Sequence, residues 1–223
     1  RMLKYFSNIY NLYWKHKSFL PKKQYSCFGE DLFVKDFFQN DNEGYYVDVG
    51  SYHPFFWNNT YLLYKKNWNG INIDANPLST ELFNIARKDD YNFNLAVTNK
   101  KKNKIKLFYR RKMNVLNTTD ESFAKRNFPN GYESREIECL SLNNILEKTK
   151  FKNKIIDFLN VDVENTEKDV LESLNFDIYK PRLICVEIHS ENEESFKNNP
   201  TSKFLDNKGY KIVWKKEYSY IFS

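Results

Sequence analysis

Residues 45–54, with the sequence YYVDVGSYHP, constrain the fold of this chain more than any other segment. The run is apolar apart from Asp48 as far as Gly50, which predicts a buried strand followed by a turn. A second strand-like run at residues 70–74 also ends in an acid, Asp74. Neighbouring parallel strands with acids at their carboxyl ends are typical of sheets that bind a nucleoside cofactor there.

Gly50 and Asp74 have the character expected of such a site. Glycine at the first turn lets the backbone come close to a ligand because it has no Cβ. Asp74 follows Gly50 by 24 residues, near the roughly 20-residue spacing of dinucleotide-binding folds, and its carboxylate can accept both ribose hydroxyls. Residues 51–54 lack the later glycines of a G-x-G-x-x-G turn. This absence of a pyrophosphate cradle favours a cofactor without phosphates, such as S-adenosylmethionine (SAM), over NAD or FAD.

Length and composition suit a single domain over residues 1–223. The 223 residues are 41% hydrophobic, enough to bury a core. No signal peptide is visible, and no apolar run approaches the roughly 20 residues that span a bilayer. The three cysteines, Cys27, Cys139 and Cys185, are odd in number and lack metal-ligand spacing. We therefore expect a cytoplasmic protein, with the inner face of the membrane as a further option.

Charge and aromatic content leave alternatives open. The formal charge of +6 comes largely from scattered lysines, which are either solvated or attract an anionic substrate or membrane surface. The N-terminal extension, residues 1–24, mixes bases with Tyr, Phe and Trp. It is expected to form an interfacial helix with peripheral membrane contact, or to pack against its own domain or a partner subunit.

Predicted strands and helices alternate along most of the chain. Strands are expected at 45–49, 70–74, 92–97, 104–110, 135–140, 155–163, 182–188, 210–214 and 218–222, with helices between them. Residues 111–134 are polar and without a clear period, which predicts an insertion that covers the substrate. The pattern favours an α/β, Rossmann-like class I methyltransferase fold. In that fold helices cover both faces of a mostly parallel seven-stranded sheet that ends in an antiparallel hairpin.

Polar side chains recur at the carboxyl edge of the predicted sheet. They are Asp48, Asp74, Asn94, Asp162, Glu164 and Glu187, with His53 and His189 nearby. Asp48 can orient a cofactor ammonium or stabilise its turn, and Asp74 can instead serve as an acid at a helix N-terminus.

Asp162, Glu164 and His53 are the candidates for acceptor chemistry. The two acids can hold a substrate hydroxyl, accept its proton or ligate a divalent cation, although Glu164 can also be a charge at a helix N-terminus. His53 is either a general base or a hydrogen-bonded loop histidine.

These residues carry a resemblance to the FkbM-type SAM-dependent methyltransferase family that covers most of the chain. The similar segments are YSCFGED at 25–31, VDVGSYHP at 47–54, Asn59-Thr60, GINIDANP at 70–77, NLAV at 94–97, FLNVDVENTEKDVLESL at 158–174 and LICVEIH at 183–189. Three positions depart from the family pattern: Cys27 replaces the usual Gln, Asn160 replaces Lys and Asn165 replaces Gly.

The resemblance implies SAM-dependent O-methylation, commonly of a sugar hydroxyl in glycan or secondary-metabolite biosynthesis. The substrate would be a small molecule or glycan, nucleotide-linked or lipid-linked. His53, Asp162 and Glu164 would face it, and metal use and oligomeric state are left open. The implied cofactor residues are Glu30, Asp48, Gly50, Ser51, Asp74, Ala75, Asn94 and Ala96.

Two alternatives belong to other functional classes. A nicotinamide-dependent oxidoreductase can use the same type of sheet, but the turn after Gly50 argues against it. A nucleic-acid-binding or RNA-methylating domain would use the basic charge, but the lysines form no stripe and no RNA-binding module is recognisable. We therefore expect no nucleic-acid partner.

Overall fold

A computed structural model gives the fold of residues 2–111 and 113–223. Arg1 and Lys112, which fall in the N-terminal extension and in the predicted insertion, lie outside the described residues. The strands are β1 (Tyr45–Val49), β2 (Asn69–Asp74), β3 (Tyr91–Asn94), β4 (Ala96–Val97), β5 (Lys104–Tyr109), β6 (Glu133–Leu140), β7 (Phe158–Val161), β8 (Leu183–Glu187), β9 (Ile212–Lys216) and β10 (Ser219–Phe222). The α-helices are α1 (Met2–Ile9), α2 (Glu30–Phe37), α3 (Tyr61–Lys65), α4 (Pro77–Ala86), α5 (Glu121–Asn127), α6 (Leu142–Leu146), α7 (Glu167–Glu172), α8 (Phe176–Tyr179), α9 (Glu193–Asn198) and α10 (Pro200–Asn207).

The larger sheet has seven strands in the order β3-β2-β1-β7-β8-β10-β9. β1 pairs in parallel with β2 on one side and with β7 on the other. β10 is antiparallel to both of its neighbours, β8 and β9. The predicted mostly parallel seven-stranded sheet with a C-terminal antiparallel hairpin is therefore confirmed, and strand order reverses between β1 and β7, where open α/β sheets bind their ligands.

The central strands are buried on both faces because helices cover each side of the sheet. All five residues of β1 are buried. Val47 and Val49 pack into one hydrophobic cluster while Tyr46 packs into the other, as the alternation of side chains along a strand requires. Each aliphatic side chain buried in this way contributes about 1.5–3 kcal/mol. The apolar sequence of the central strands thus holds their polar carboxyl ends at one edge.

The strand predicted over residues 92–97 is divided between two sheets. β3 pairs with β2, whereas Ala96 and Val97 pair in parallel with Cys139 and Leu140 of β6. β4, β6 and β5 form a second, three-stranded sheet. Leu95, buried between the two strands, marks the change of partner. Periodicity could not predict this division because both halves are apolar enough to be strands.

The predicted insertion at 111–134 is more ordered than its polar sequence suggests. Asp120 begins α5 by accepting hydrogen bonds from the backbone N–H groups of Ser122 and Phe123. Thr118 forms an isolated antiparallel bridge with Phe108 of β5. The described part of the insertion is therefore fixed at Thr118 and at α5.

Thr166 and Asp169 have the spacing of a capping box before α7, but the box does not form. Thr166 precedes α7, but its side chain makes no capping hydrogen bond. Its hydroxyl instead lies 3.4 Å from that of Thr119 in the insertion. Tertiary contact with the insertion has replaced the local cap.

The N-terminal extension packs one face against its own domain and exposes the other. Leu12 is fully buried in a cluster with Tyr25, Phe55 and Leu82, and Lys4 forms a 2.6 Å ion pair with Glu81. The large exposed apolar side chains of the extension are Met2, Leu3, Tyr5, Phe6, Tyr10, Tyr13, Trp14 and Leu20. None of the helices in the described residues has the length and hydropathy of a bilayer-spanning segment.

Candidate cofactor and acceptor site

Two adjoining cavities lie at the carboxyl ends of β1, β2 and β7. Cavity A, of about 600 Å³, is lined by Asp74, Ala75 and Ala96 among others. Cavity B, of about 910 Å³, is lined by residues that include Glu30, Asp48, Ser51, Glu164 and Glu187. Gly50, Tyr52, Val115 and Asp162 line both cavities. The two cavities therefore lie side by side around the turn after β1.

Gly50 is required at this turn by the neighbouring strand. Its φ of +82° lies in the left-handed region, and a Cβ placed on it would lie 1.6 Å from the carbonyl oxygen of Asp162. The backbone N–H of Gly50 donates to Ile73 at 2.9 Å, and that of Asp162 donates to Val49 at 2.9 Å. The sequence assigned this glycine to ligand approach, whereas the structure shows that backbone already fills the space it leaves.

Asp74 is held in place by two backbone donors. Oδ2 accepts a 2.7 Å hydrogen bond from the N–H of Tyr52, and Oδ1 accepts one of 2.7 Å from the N–H of Asn76. A carboxylate has about four acceptor positions, so further positions remain for hydroxyl donors in cavity A. Burial raises the pKa of Asp74 to about 6, and these backbone donors oppose the rise.

Asn94 lies outside the cavities' described lining residues and supports Asp74 instead. Its side chain is exposed, and Nδ2 donates a 2.9 Å hydrogen bond to the backbone carbonyl of Asp74. The role that the resemblance implied for Asn94, direct contact with the cofactor, stays a prediction. Ala75 and Ala96 do line cavity A, where their small side chains leave room for a flat ring.

Asp48 is buried, and both of its carboxylate oxygens accept hydrogen bonds from neutral donors. Its Oδ1 accepts from Asn160 Nδ2 at 2.9 Å, and its Oδ2 accepts from Asn58 Nδ2 at 3.1 Å and Thr60 Oγ1 at 3.0 Å. Burial raises its pKa, and the Asn160 hydrogen bond opposes the rise. Buried Arg87 in turn donates to Thr60 Oγ1 and Asn58 Oδ1 at 2.8 and 2.7 Å. Asn160, in the place of the family's usual lysine, therefore supports Asp48 without adding charge.

Glu30 and Ser51 complete the polar wall of cavity B. Glu30 is buried, and its two oxygens accept from Ser219 Oγ at 2.6 Å and from the backbone N–H of Phe28 at 2.8 Å. Ser51 is also buried, and its Oγ has no hydrogen-bond partner among the described residues. A buried hydroxyl without a partner is unusual, and Ser51 is one of the residues that line cavity B. Cys27, in the place of the family's usual glutamine, lines the same cavity.

Asp162, Glu164 and Glu187 bring three carboxyl groups together in cavity B. Burial by the surrounding protein, then repulsion by Glu187, raises the pKa of Asp162 well above its usual range, although the side chain is open to solvent inside the cavity. Burial and then Asp162 raise the pKa of Glu164 to about 9. Burial and then Glu164 raise the pKa of Glu187 to about 7. The cluster therefore favours either bound protons or a cationic ligand.

The backbone around Glu164 is constrained. Glu164 and Asn165 have φ values of +58° and +83°, both in the left-handed region. Asparagine is among the few residues that tolerate this region without being glycine, which explains how Asn165 can stand where the family usually has Gly. Thr118 of the insertion donates a 2.7 Å hydrogen bond to the Glu164 carbonyl. The insertion thus closes over the end of β7.

His53 does not join these carboxyl groups. It is fully buried and lines neither cavity among the described residues. Nδ1 accepts from the backbone N–H groups of Phe55 and Phe56 at 3.3 and 3.1 Å, so Nε2 carries the proton and lies 3.3 Å from the Asn11 carbonyl. Burial and then His16 lower its pKa to about 3. A base role for His53 stays a prediction, and its surroundings suit a neutral structural histidine.

Several residues of the site were not assigned from the sequence. Glu187 was noted at the sheet edge without a role, Asn160 was noted only as a departure from the family pattern, and Tyr52 and Glu167 were given no role. Glu167 is buried, accepts from the backbone N–H groups of Val163 and Asn165 at 3.3 and 3.1 Å, and has its pKa raised to about 7 by burial. Glu187 could have been assigned from its place at the end of β8, in register beside the strand β7 that leads to Asp162.

The family comparison agrees with the fold. A sequence profile of the methyltransferase FkbM domain matches residues 48–212, well over half of the chain. The match spans β1 to the start of β9 and includes the acids of both cavities apart from Glu30. No curated protein and no solved structure matches the chain. The seven-stranded sheet and the family profile together show that the chain belongs to the FkbM methyltransferase family.

Proposed function

We propose that the protein transfers a methyl group from SAM to a hydroxyl group of a sugar. The observation that carries the proposal is the charge of the site. Among the described residues, cavities A and B are lined by Glu30, Asp48, Asp74, Asp162, Glu164 and Glu187 but by no lysine or arginine. SAM carries a sulfonium and an ammonium and no phosphate, so its charge complements this lining.

The same lining argues against a nicotinamide cofactor. A pyrophosphate is commonly bound by a helix N-terminus directly after the first strand. Here α3 begins only at Tyr61, so no helix N-terminus follows the turn after Gly50 directly, and the charged side chains that line cavity B are carboxylates. The oxidoreductase alternative is therefore disfavoured on charge and on backbone geometry.

Each cavity suits one half of SAM. In cavity A, Asp74 would accept the ribose hydroxyls while Ala75 and Ala96 would lie against the adenine. In cavity B, Glu30 and Ser51 would face the amino acid end. The sulfonium would then lie near Asp162, which lines both cavities. This arrangement directs the methyl group toward the acid cluster.

Methyl transfer requires an acceptor oxygen in line with the methyl carbon and sulfur. The acceptor oxygen forms a bond to the methyl carbon while the carbon–sulfur bond breaks, and the electron pair stays on sulfur as a neutral thioether. The hydroxyl proton must leave, and Asp162 is the carboxylate we assign as its acceptor. The positive sulfonium beside it would favour its ionised form, which can accept the proton, and the raised pKa makes that carboxylate a stronger base than an ordinary aspartate.

A groove beside cavity B supports a sugar as the acceptor. The groove is lined by Phe56, Trp57, Arg110 and Arg111 and shares Trp57 with cavity B. Trp57 is 45% exposed and stacks on Phe56 with ring centroids 4.8 Å apart. Its ring offers an apolar platform for a sugar face, and the arginines suit the phosphate of a nucleotide-linked or lipid-linked sugar.

The exposed face of the N-terminal extension supports peripheral membrane contact as part of this proposal. Leu3 is 87% and Trp14 is 70% exposed, and Lys15, Lys17, Lys22 and Lys23 follow. Apolar and basic side chains together favour an anionic bilayer surface. Co-sedimentation with vesicles containing phosphatidylglycerol, but not with purely zwitterionic vesicles, is expected. If the protein sediments with neither type of vesicle, the proposed membrane contact is contradicted.

Transfer of labelled methyl from SAM tests the proposed reaction. The acceptor panel should contain nucleotide sugars, lipid-linked sugars, free glycans and a mixed RNA oligonucleotide. Label is expected in a sugar-containing acceptor and not in the RNA. Label confined to RNA, or to an amine, would reject the sugar assignment while leaving the methyltransferase family unchanged.

A further inference from the structure

Glu164 and Glu187 line cavity B, and His189 brings a third potential ligand atom beside them. One carboxylate oxygen from each acid and one ring nitrogen of His189 all lie within 4.8 Å of one another. The Glu187 oxygen and His189 Nε2 are 3.6 Å apart. Ligands that share one metal ion at roughly 2.0–2.2 Å are themselves separated by about 3–4.5 Å, so small side-chain movements would complete this set.

The backbone explains why these side chains converge. Glu187 ends β8, and His189 lies two residues further on, so the alternation of an extended chain directs both to the same side. Glu164 comes from the adjacent strand, three residues after the end of β7. β8 therefore supplies Glu187 directly, and the other two ligand positions follow within three residues of a strand end.

A second, independent observation points to a ligand at Glu164. The residue is only 7% exposed, and its Oε2 has no hydrogen-bond partner among the described residues. An unpaired buried carboxylate oxygen is costly unless a cation or donor meets it. In Glu30 and Asp48, the other buried acids of cavity B, both carboxylate oxygens accept hydrogen bonds. Of these three buried acids, Glu164 is therefore the one with a carboxylate oxygen that lacks a partner among the described residues.

We propose that Glu164, Glu187 and His189 bind a divalent transition-metal ion of the Mn²⁺ type. Carboxylates suit Mn²⁺ and Mg²⁺, whereas an imidazole ligand favours a transition metal over Mg²⁺ or Ca²⁺. Three protein ligands leave coordination positions open, as in catalytic rather than structural metal sites. The role of these positions, which rests on the proposed function, is to hold the acceptor oxygen beside Asp162.

The test measures Mn²⁺ binding without turnover. Metal-free protein, prepared with a chelator and dialysed, is titrated with Mn²⁺ while the electron paramagnetic resonance signal of the free ion is followed. The wild type is expected to bind one ion per chain, and Glu164→Gln and His189→Gln to bind at least about tenfold more weakly. A hundredfold excess of Mg²⁺ should leave much of the Mn²⁺ bound.

Glu191→Gln is the matched control because it makes the same chemical change at an exposed acid two residues from His189. Its affinity for Mn²⁺ should equal that of the wild type. Thermal unfolding in chelator checks that Glu164→Gln is folded, and His189→Gln provides a second variant from a half-exposed position. Absence of saturable Mn²⁺ binding in the wild type, or unchanged affinity in both ligand variants, would overturn the site.

Calorimetric titration of the same samples with S-adenosylhomocysteine keeps the two proposals separate. Cofactor binding without Mn²⁺ binding would reject the metal site alone. Mn²⁺ binding without cofactor binding would reject the SAM proposal and leave the metal site standing.

Discussion

The carbonyl oxygen of Asp162 occupies the space that a side chain at Gly50 would need. A Cβ on Gly50 would lie 1.6 Å from that oxygen, and the φ of Gly50 is +82°. The turn that shapes both cavities is therefore locked to the strand that supplies the acid cluster. Any residue larger than glycine at position 50 would push this turn away from the end of β7.

Gly50→Ala should consequently destabilise the fold and remove cofactor binding. We expect a loss of about 3 kcal/mol or more in the free energy of unfolding, because a backbone clash adds to the positive-φ strain. Denaturant unfolding and calorimetry measure the two effects.

Gly209→Ala is the control for Gly50→Ala. Gly209 has a similar φ of +87°, but a Cβ there would meet no atom within 4 Å. It should lose only about 1 kcal/mol and should bind the cofactor normally. Equal losses in the two variants would mean that strain alone, without the contact to Asp162, sets the effect.

Asp74 should make cofactor affinity depend on pH. Its pKa rises from 3.8 to about 6, so acidification through pH 6 protonates the carboxylate that would accept the ribose hydroxyls. The Kd of S-adenosylhomocysteine should be about tenfold higher at pH 5 than at pH 7.5. Asp74→Asn should bind weakly at both values, with this part of the pH dependence lost. Parallel profiles for wild type and variant would assign the titration to another group.

The raised pKa of Asp74 affects stability in the direction opposite to its effect on cofactor affinity. The ligand-free protein should become less stable as the pH rises. Folded Asp74 holds its proton more tightly than the unfolded chain does. Its contribution to stability is therefore complete below pH 3.8 and is lost as the pH rises through about 6. Thermal unfolding of Asp74→Asn should show a weaker decline across this window than that of the wild type.

Variants of His53 and Asp162 should distinguish a residue that stabilises the fold from one that takes part in catalysis. His53→Ala removes a buried ring that accepts two backbone hydrogen bonds, so the free energy of unfolding should fall by about 2–4 kcal/mol. Its kcat should stay within about threefold of the wild type where the protein is folded. Asp162→Asn should lower kcat by about a hundredfold or more. A folded His53→Ala variant with kcat as low as that of Asp162→Asn would restore the histidine as the base.

Trp57 should affect acceptor binding more than the chemical step. Trp57→Ala removes the exposed platform of the groove, and we expect the KM for the sugar acceptor to rise about tenfold while the KM for SAM is unchanged. Phe37→Ala is a control, since Phe37 is similarly exposed on α2 and lines no cavity among the described residues. A KM unchanged in Trp57→Ala would place the acceptor elsewhere.

The sequence predicts the larger sheet well because its strands are specified by local pattern. β1 is found at the predicted Tyr45–Val49, and β2 begins one residue before its predicted start. β4 was not predicted as a separate strand, since the choice of β2 or β6 as a partner depends on tertiary contact. α5 was missed although Asp120 and Glu121 form a recognisable helix start.

The site was predicted in part for the same reason. Acids at strand ends meet because parallel strands bring their carboxyl ends to one edge, so Asp74, Asp162 and Glu164 were identifiable. The sequence could not show that His53 lies apart from these acids, because its position along a turn does not reveal which way the ring points. Only the fold shows that His53 faces Asn11 of the N-terminal extension.

Calorimetric titration of the wild-type protein with S-adenosylhomocysteine and, separately, with NAD tests the central claim most directly. A site lined by carboxylates without a lysine or arginine among the described residues should bind S-adenosylhomocysteine once per chain and should not bind NAD. Binding of NAD without binding of S-adenosylhomocysteine would contradict the account of cavities A and B as a SAM site.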